Sequence, residues 1–407
     1  MHNDAVIVAA VRTPIGRAVK GSLAELRADD LAAHAVRAVL ERAPQIASSD
    51  VEDLMLGCAQ PAAEQGFNMA RVVAVLAGLP NVPGVTVNRY CASSLQTIRM
   101  AAHAIRAGEG ECFIAAGAEA SSRFGAGNAD NVPGTKNPRF AAAGERTALR
   151  ANGHNGSGAG PWTPAELPDV YIAMGQTAEN VVELEGITRE EMDAYAARSQ
   201  QRAVAAQEQG VFDTEIVPVT TPGGVEVTRD DGPRPGTTVE RLAELKPVFR
   251  PHGTVTAGNA CPLNDGAAAV IVTSAEFARR HELEPVARIV ATGVSALDPE
   301  ILGLGPVEAS RVALERAGMT IDDVDLVEMN EAFAAQVIPS ARRLGIDEDR
   351  LNVFGGAIAL GHPFGMTGAR IVTTLINGLQ RRDGTIGLET MCVGGGQGMA
   401  LIVERLS

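Results

Sequence analysis

Val85-Thr86-Val87-Asn88-Arg89-Tyr90-Cys91-Ala92-Ser93-Ser94-Leu95-Gln96-Thr97-Ile98-Arg99-Met100 is the stretch around which the chain is organised. Its left half is a short β-branched run, which predicts a strand. Its right half, continued to Ile105, places Leu95, Ile98, Ala101, Ala102 and Ile105 at helical spacing. Cys91 falls at the junction, where a helix begins with unpaired N–H groups and the positive end of its dipole. A thiol there is expected to ionise more easily, and the thiolate is the nucleophile. The dipole supplies only about 0.3–1 kcal/mol, less than one pKa unit at about 1.36 kcal/mol, so a second group must assist. A free cysteine on its own is most often a small buried hydrophobe. The small neighbours Ala92, Ser93 and Ser94, however, leave room for a substrate.

The rest of the chain bounds the answer. Its 407 residues exceed one compact core, so about two or three domains are expected. With 45% hydrophobic residues, 44 glycines and few aromatics, it reads as a soluble α/β enzyme. A net charge of -14 argues against a nucleic-acid partner. The five cysteines are odd in number, scattered and without CxxC spacing, as expected of reduced thiols in a cytoplasmic protein rather than disulfides or zinc ligands. The N-terminal run Ala5–Val11 reads as a first strand, too short to span a membrane.

Strands and helices alternate from Ala5 onward: a helix over Asp29–Arg42, a strand over Val51–Gly57, a helix over Asn68–Ala77 and a buried strand over Cys112–Gly117. Such alternation implies a mostly parallel sheet covered by helices. The pattern then repeats. Arg37–Ala43 followed by Asp50–Leu54 is similar to Arg311–Ala317 followed by Asp323–Leu326, at an offset of roughly 270 residues. Carried forward, the offset sets Cys91 against the neighbourhood of His362. Between the halves, Ser121–Asp169 has no steady period and reads as a long loop, Thr188–Gly210 as a capped helix, and Thr220–Gly236 as a charged turn region. The sheet pattern returns over Thr256–Ser274.

Three late motifs carry side chains with chemistry. Asn330 closes the strand Leu326–Val327 and could hold a water or a carbonyl, or simply cap a helix. His362 sits on a tight turn between Gly361 and Pro363. Cys392 precedes Gly394-Gly395-Gly396, whose bare backbone can offer N–H groups to an oxyanion. This glycine run is no dinucleotide fingerprint, because it leads into the closing strand Ala400–Val403 instead of a helix. No Walker-type phosphate loop or metal-ligand spacing is present.

Together these motifs resemble the thiolase family over nearly the whole chain, from Ala5 to Arg405. The resemblance is carried by Asn88–Ser94, Gly175–Asn180, Gly258-Asn259-Ala260, Asn264–Ala267, Asn330–Phe333, Gly361-His362-Pro363 and Cys392-Val393-Gly394. It implies an α/β fold of two duplicated βαβαβαββ halves in a five-layered α-β-α-β-α core with an inserted loop domain. The expected division is 1–122 plus 251–281 for the N-terminal half, 123–250 for the insertion and 282–407 for the C-terminal half. By the same resemblance Cys91 accepts an acyl group, His362 is its base, and Asn330 holds an oxyanion-stabilising water. Cys392 moves the second proton, and the N–H groups of Cys91 and Gly394 form an oxyanion hole. Arg234 and Arg241 are expected at the coenzyme A phosphates, with Met174 and Phe333 lining the pantetheine tunnel. Where the family often has Ser-Gly, with the serine bonding the pantetheine, this chain has Cys261-Pro262; Ala173 replaces a histidine of many acetoacetyl-CoA-forming members.

The implied activity is that of a 3-ketoacyl-CoA thiolase of fatty-acid β-oxidation. The alternative is an acetoacetyl-CoA-forming acetyl-CoA C-acetyltransferase. A ketosynthase would need a histidine where Asn330 stands, and a non-catalytic acyl-CoA binder would not need Cys91, His362 and Cys392. No permanently bound cofactor and no metal are expected. The expected partners are acyl-CoA and coenzyme A as co-substrate, a homodimer or homotetramer, and a β-oxidation complex.

Overall fold

The computed structural model describes residues 4–152 and 162–407. The N-terminal half runs through strand Ala5–Arg12, helix Ala28–Glu41, strand Asp53–Gly57, helix Met69–Leu76, strand Gly84–Val87, helix Ser93–Ala107 and strand Cys112–Ala120. Its last strand, Asn264–Ser274, arrives only after the long intervening segment. It pairs antiparallel with both Cys112–Ala120 and Ala5–Arg12, and because the closing strands of each half return this way the sheet is mostly antiparallel rather than mostly parallel as expected. The order then restarts with strand Ala287–Ala296, helix Gly305–Ala317, strand Leu326–Met329 and helix Ala334–Leu344. It ends with helix Thr367–Arg382 and strands Ile386–Val393 and Gln397–Arg405. The counterpart of Gly84–Val87 shrinks to one parallel bridge between Leu351 and Val327. The two halves join edge to edge through a short pairing, Val6 with Arg288 and Ile7 with Ala287.

Side-chain alternation along the strands builds three apolar layers, because successive residues face opposite sides. Ile271 packs outward with Leu31, Val36 and Val39 of the first helix. Its neighbours Val270 and Val272 face inward against Leu95, Ile98, Ile371 and Leu375. In the second half Leu401 and Val403 face the same inner layer, while Ile402 joins Leu314 and Val337 on the far side. Helices therefore cover both outer faces and fill the space between the sheets, giving the five layers expected. Each fully buried Leu, Ile or Val stabilises by about 1.5–3 kcal/mol.

The inner layer fixes the site. The first turns of helices Ser93–Ala107 and Thr367–Arg382 touch: Ala369 N donates to Ser94 Oγ at 2.9 Å. A Cβ on Gly368 would lie 2.4 Å from Leu95 N and 2.6 Å from its Cβ, so only glycine permits this approach.

The segment between the halves is tied to the first strand by Arg12, which is fully buried. Arg12 Nε donates to Glu215 at 2.6 Å and its Nη atoms to Asp230 at 2.7 and 3.0 Å. Helix Arg189–Glu208 has the predicted Thr188 cap, with Glu191 completing a capping box. Ser121–Asp169 differs from the expected plain loop, since Ala141–Ala151 forms a helix; residues 153–161 of that stretch lie outside the described residues. The strand expected from Thr256 begins only at Asn264, because Thr256 and Ala260 make isolated bridges to Pro247 and Phe333 instead.

Replacing Gly368 with valine should lower the chemical-denaturation midpoint and cost about 1–3 kcal/mol, since backbone rather than a flexible side chain would have to give. An unchanged midpoint would contradict this account of the helix crossing.

Candidate active site

Cys91 lies in the short turn Tyr90–Ala92 that runs directly into helix Ser93–Ala107. Local bonds lock this turn. Asn88 Oδ1 accepts from Tyr90 N at 2.8 Å, and Ser93 Oγ accepts from Arg89 N at 2.9 Å while donating to Tyr90 O at 2.6 Å. Tyr90 is held at φ 43°, a left-handed conformation that costs a non-glycine residue about 1–2 kcal/mol. Its ring fits beneath Gly394, where a Cβ would come within 2.9 Å of Tyr90 Cγ. The backbone N–H groups of Gly394 and of Cys91 itself lie near enough to the Cys91 sulfur to favour its thiolate. Burial outweighs them and pushes the thiol from its ordinary 9.0 up to about 12. The expected easy ionisation is therefore corrected: loss of water at the sulfur exceeds what a helix terminus provides.

His362 is oriented from both halves. Its N–H donates to Asn264 Oδ1 at 2.9 Å, and Asn264 Nδ2 donates to Gly16 O at 2.9 Å. Gly361, at φ 112°, leaves no room for a Cβ, which would sit 2.6 Å from the Asn264 side chain. The ring's Nδ1 lies 2.7 Å from Thr367 Oγ1, which donates onward to Pro363 O at 2.8 Å. Nε2 lies 3.3 Å from Asn330 Nδ2. An amide nitrogen can only donate, so these contacts are all satisfied when the proton is on Nδ1 and Nε2 keeps its lone pair. Burial, aided by the charge of Arg370, lowers the imidazole to about 3, so the ring is a neutral base at pH 7.

Asn330 is buried at the end of its strand and is not a helix cap; that place is taken by Phe333. Its Oδ1 has no hydrogen-bond partner among the described residues. Cys392 lies in strand Ile386–Val393, just before the turn in which Gly395 and Gly396 both adopt φ 76°. Burial raises its thiol first, and the charges that Cys91 and Cys261 would carry raise it further. The Cys261 thiol is likewise raised by burial and then by Cys91, whereas of the three cysteines only Cys91 lines the cavity that Gly394 also walls. Cys261 N donates to Ala332 O at 3.0 Å, which seats it against the Asn330–Phe333 loop.

Cys91 and Gly394 open onto a cavity of about 350 Å³, walled also by Ala59, Gln60, Lys136, Tyr171, Ala173 and Met174. Met174 thus shares the cavity wall with Cys91. Phe333 does not line this cavity. It packs edge-on against Phe249, with ring centroids 6.0 Å apart. Phe249 in turn lies so close under Gly175 that a Cβ there would be 2.2 Å from its ring. An apolar row therefore leads from Met174 to Phe333. Arg234 and Arg241 stand outside the cavity. Arg234 is beside Arg17, whose charge together with burial lowers its pKa, and exposed Arg241 bonds to Gly236 O at 2.9 Å. Sequence reading gave no roles to Asn264 and Thr367; Asn264 lay inside a quoted motif, but its partner is 98 residues away.

This arrangement suits acyl transfer: a thiol facing two N–H groups, a neutral imidazole, and a second thiol close by. Among the described residues, no group of three or more His, Cys, Asp or Glu side chains could hold a metal, and no helix is long and apolar enough to cross a membrane. Because the raised Cys91 thiol is protonated at neutral pH, its iodoacetamide alkylation rate should climb steadily from pH 7 to 10. A rate already level at pH 7 would show that the thiol ionises easily.

Comparison with known proteins identifies the family. The family model for "Thiolase, N-terminal domain" matches residues 5–276, and that for "Thiolase, C-terminal domain" matches residues 283–405. The chain is 45% identical to a 3-ketoacyl-CoA thiolase of Cronobacter sakazakii, over 98% of this chain and 99% of the relative. It is 46% identical to a beta-ketoadipyl-CoA thiolase of Acinetobacter baylyi, over 99% of each. Among solved structures, human mitochondrial 3-ketoacyl-CoA thiolase superposes with a TM-score of 0.86 at 36% identity, covering 100% of both chains. The Bacillus anthracis acetyl-CoA acetyltransferase superposes with a TM-score of 0.85 at 39% identity, covering 100% of this chain and 99% of that one. With both domains matched and relatives similar over the full length, this chain belongs to the thiolase family of acyltransferases.

Proposed function

We propose that the protein is a 3-ketoacyl-CoA thiolase, cleaving 3-ketoacyl-CoA with coenzyme A into acetyl-CoA and a shortened acyl-CoA, as fatty-acid β-oxidation requires. Cys91 gives its proton to His362 Nε2 and its sulfur attacks the 3-keto carbon. The oxyanion forms against the N–H groups of Cys91 and Gly394. Collapse breaks the C2–C3 bond, leaving a Cys91 thioester and an acetyl-CoA enolate, which His362 and a water on Asn330 Oδ1 stabilise. Cys392 protonates that carbon. The incoming coenzyme A thiol returns a proton to Cys392 and attacks the thioester; the Cys91 sulfur leaves and recovers its proton from His362. Every proton is thus restored, and no permanently bound cofactor is needed.

The observation that carries this reading is that Cys91 and Gly394 wall one cavity, the bare Gly394 backbone lying against the Tyr90–Cys91 turn. Donors at that point strengthen as negative charge develops. The preference for chains longer than acetoacetyl rests on Ala173, which contributes only a methyl group to the cavity wall. A second reading of the chain itself, a 3-ketoacyl group with a distal carboxylate, is favoured by Lys136. Its ammonium lies at the cavity wall, 5.9 Å from the Tyr171 ring centroid, and makes no ion pair among the described residues. The apolar row from Met174 to Phe333 suits pantetheine, and the Cys261 thiol stands in for a hydroxyl there. Phosphate binding by Arg234 and Arg241 belongs to the same proposal, as do a cytoplasmic location, a homodimer or homotetramer and a β-oxidation partner.

Cys91→Ala should form no acyl-enzyme. Cys392→Ala should form one from acyl-CoA yet lose carbon–carbon cleavage by roughly 1,000-fold or more, as expected for a lost proton-transfer group. Normal acylation of Cys91→Ala would refute the assignment. Comparing kcat/KM for acetoacetyl-CoA, an alkyl 3-ketoacyl-CoA and one ending in a carboxylate discriminates the substrate readings; highest turnover of acetoacetyl-CoA would favour the biosynthetic alternative.

A further inference from the structure

We propose that Glu119 is a positioning residue whose carboxylate clamps the His362 turn of one half to the wall of the Cys91 cavity in the other. Glu119 is the next-to-last residue of strand Cys112–Ala120 and is fully buried. Its Oε2 accepts from Ala59 N at 2.9 Å and from Gly365 N at 2.9 Å. Its Oε1 accepts from Gln60 N at 3.2 Å and Gln65 Nε2 at 2.7 Å, with Cys58 Sγ at 3.8 Å. Ala59 and Gln60 wall the Cys91 cavity. Gly365 is three positions beyond His362, and Phe364 between them both lines the cavity and meets the His362 ring edge-on at 5.0 Å. One carboxylate thus joins two pieces of chain from opposite halves that flank the reacting thiol.

The fit admits little slack. A Cβ on Gly117 would come 2.0 Å from Gly365 O, and one on Gly365 would come 2.3 Å from Ala118 O. Every neighbour named here donates, so the position calls for an acceptor without a proton. A glutamine would turn its NH2 group onto two of those donors, and a protonated carboxyl would set its own hydrogen among them. Among the described residues no Lys or Arg pairs with Glu119. The titratable groups facing it are Cys58, from the adjoining loop, and Cys91, whose thiol its charge raises. The paired strand Asn264–Ser274 presents Gly266 opposite, and the His362 turn presents only the Gly365 N–H.

Burial raises the Glu119 carboxyl to about 6, against the bonds from Ala59, Gln65, Gly365 and Gln60 that hold it down. The clamp is therefore charged above about pH 6 and protonated below it. Its action on turnover rests on the thiolase reading above; its action on the Cys91 thiol does not.

Two measurements on the full-length protein test the proposal. In wild type, kcat for 3-ketoacyl-CoA cleavage should fall as pH drops through about 6. In Glu119→Gln that acid limb should vanish, with kcat at pH 8 lowered about 100-fold, the order expected for a displaced catalytic group, and KM changed less than kcat. Glu119→Asp should restore the limb and part of the activity. Independently, loss of the negative charge should shift Cys91 alkylation by iodoacetamide to lower pH in Glu119→Gln but not in Glu119→Asp, which keeps the charge, whereas simple loosening of the turn would shift both. A folded Glu119→Gln with wild-type kcat and an unmoved alkylation profile would overturn the proposal. Should that variant fail to fold, absence of the acid limb in both wild type and Glu119→Asp would overturn it. Absence of any 3-ketoacyl-CoA cleavage in wild type would instead count against the thiolase reading, leaving the alkylation profiles of wild type and variants to decide Glu119.

Discussion

The approach of two helix beginnings, made possible by a missing side chain, underlies the site. Gly368 lets the first turn of Thr367–Arg382 lie against Leu95, and Ser94 Oγ takes the exposed N–H of Ala369. Cys91 is two positions before one helix and His362 five before the other. Each half therefore supplies one partner, and neither half folded alone would have a site. The same duplication explains why glycines crowd the junction. Gly117, Gly361 and Gly365 all stand where a Cβ would meet backbone or a fixed amide within 2.6 Å. A junction so closely packed transmits position well, since interiors at this density have no slack to absorb a shift.

Burial has two consequences for the chemistry. It holds Cys91 up to about 12 and His362 down to about 3, so the resting pair is neutral. It also means that any negative charge appearing there has few alternatives to the N–H groups already in place. Those donors count for more in a low-dielectric pocket than in water, and need no reorientation when the charge develops. Two helix beginnings add their dipoles in the same sense, at about 0.3–1 kcal/mol each when exposed to solvent. The dipoles tilt the balance, while burial sets it.

The doubled α/β order was legible because strand and helix periodicities are local, and the match of Arg37–Leu54 with Arg311–Leu326 exposed the repeat. Cys91, His362, Asn330 and Cys392 stood out through their turns and glycines. What escaped was tertiary. Helix Ala141–Ala151 buries only Ala143, so it leaves almost no apolar stripe to read. Glu119 gains its meaning from Gly365, 246 residues away, and His362 takes its orientation from Asn264. The Cys91 thiol was misjudged for the same reason: a helix terminus can be seen in the sequence, whereas the exclusion of water from a sulfur cannot. Where Arg234 and Arg241 stand relative to the Cys91 cavity was equally illegible, because no local pattern specifies the path of their loop over the core.

The division of labour between core and insertion follows from these contacts. Thiol, imidazole and N–H donors all hang on the ends of strands and helices of the doubled core. The outer cavity wall comes from the inserted segment instead, through Asn131, Thr135, Lys136 and Val170–Met174. That segment is held to the core at some distance from the sulfur, notably by the buried Arg12 contacts to Glu215 and Asp230. Its lining side chains can therefore vary in size and charge without disturbing the Cys91–His362 pair. A scaffold of this kind can keep one bond-breaking apparatus and change the acyl chain it accepts, which is how relatives similar over their full length can carry names for different 3-keto substrates.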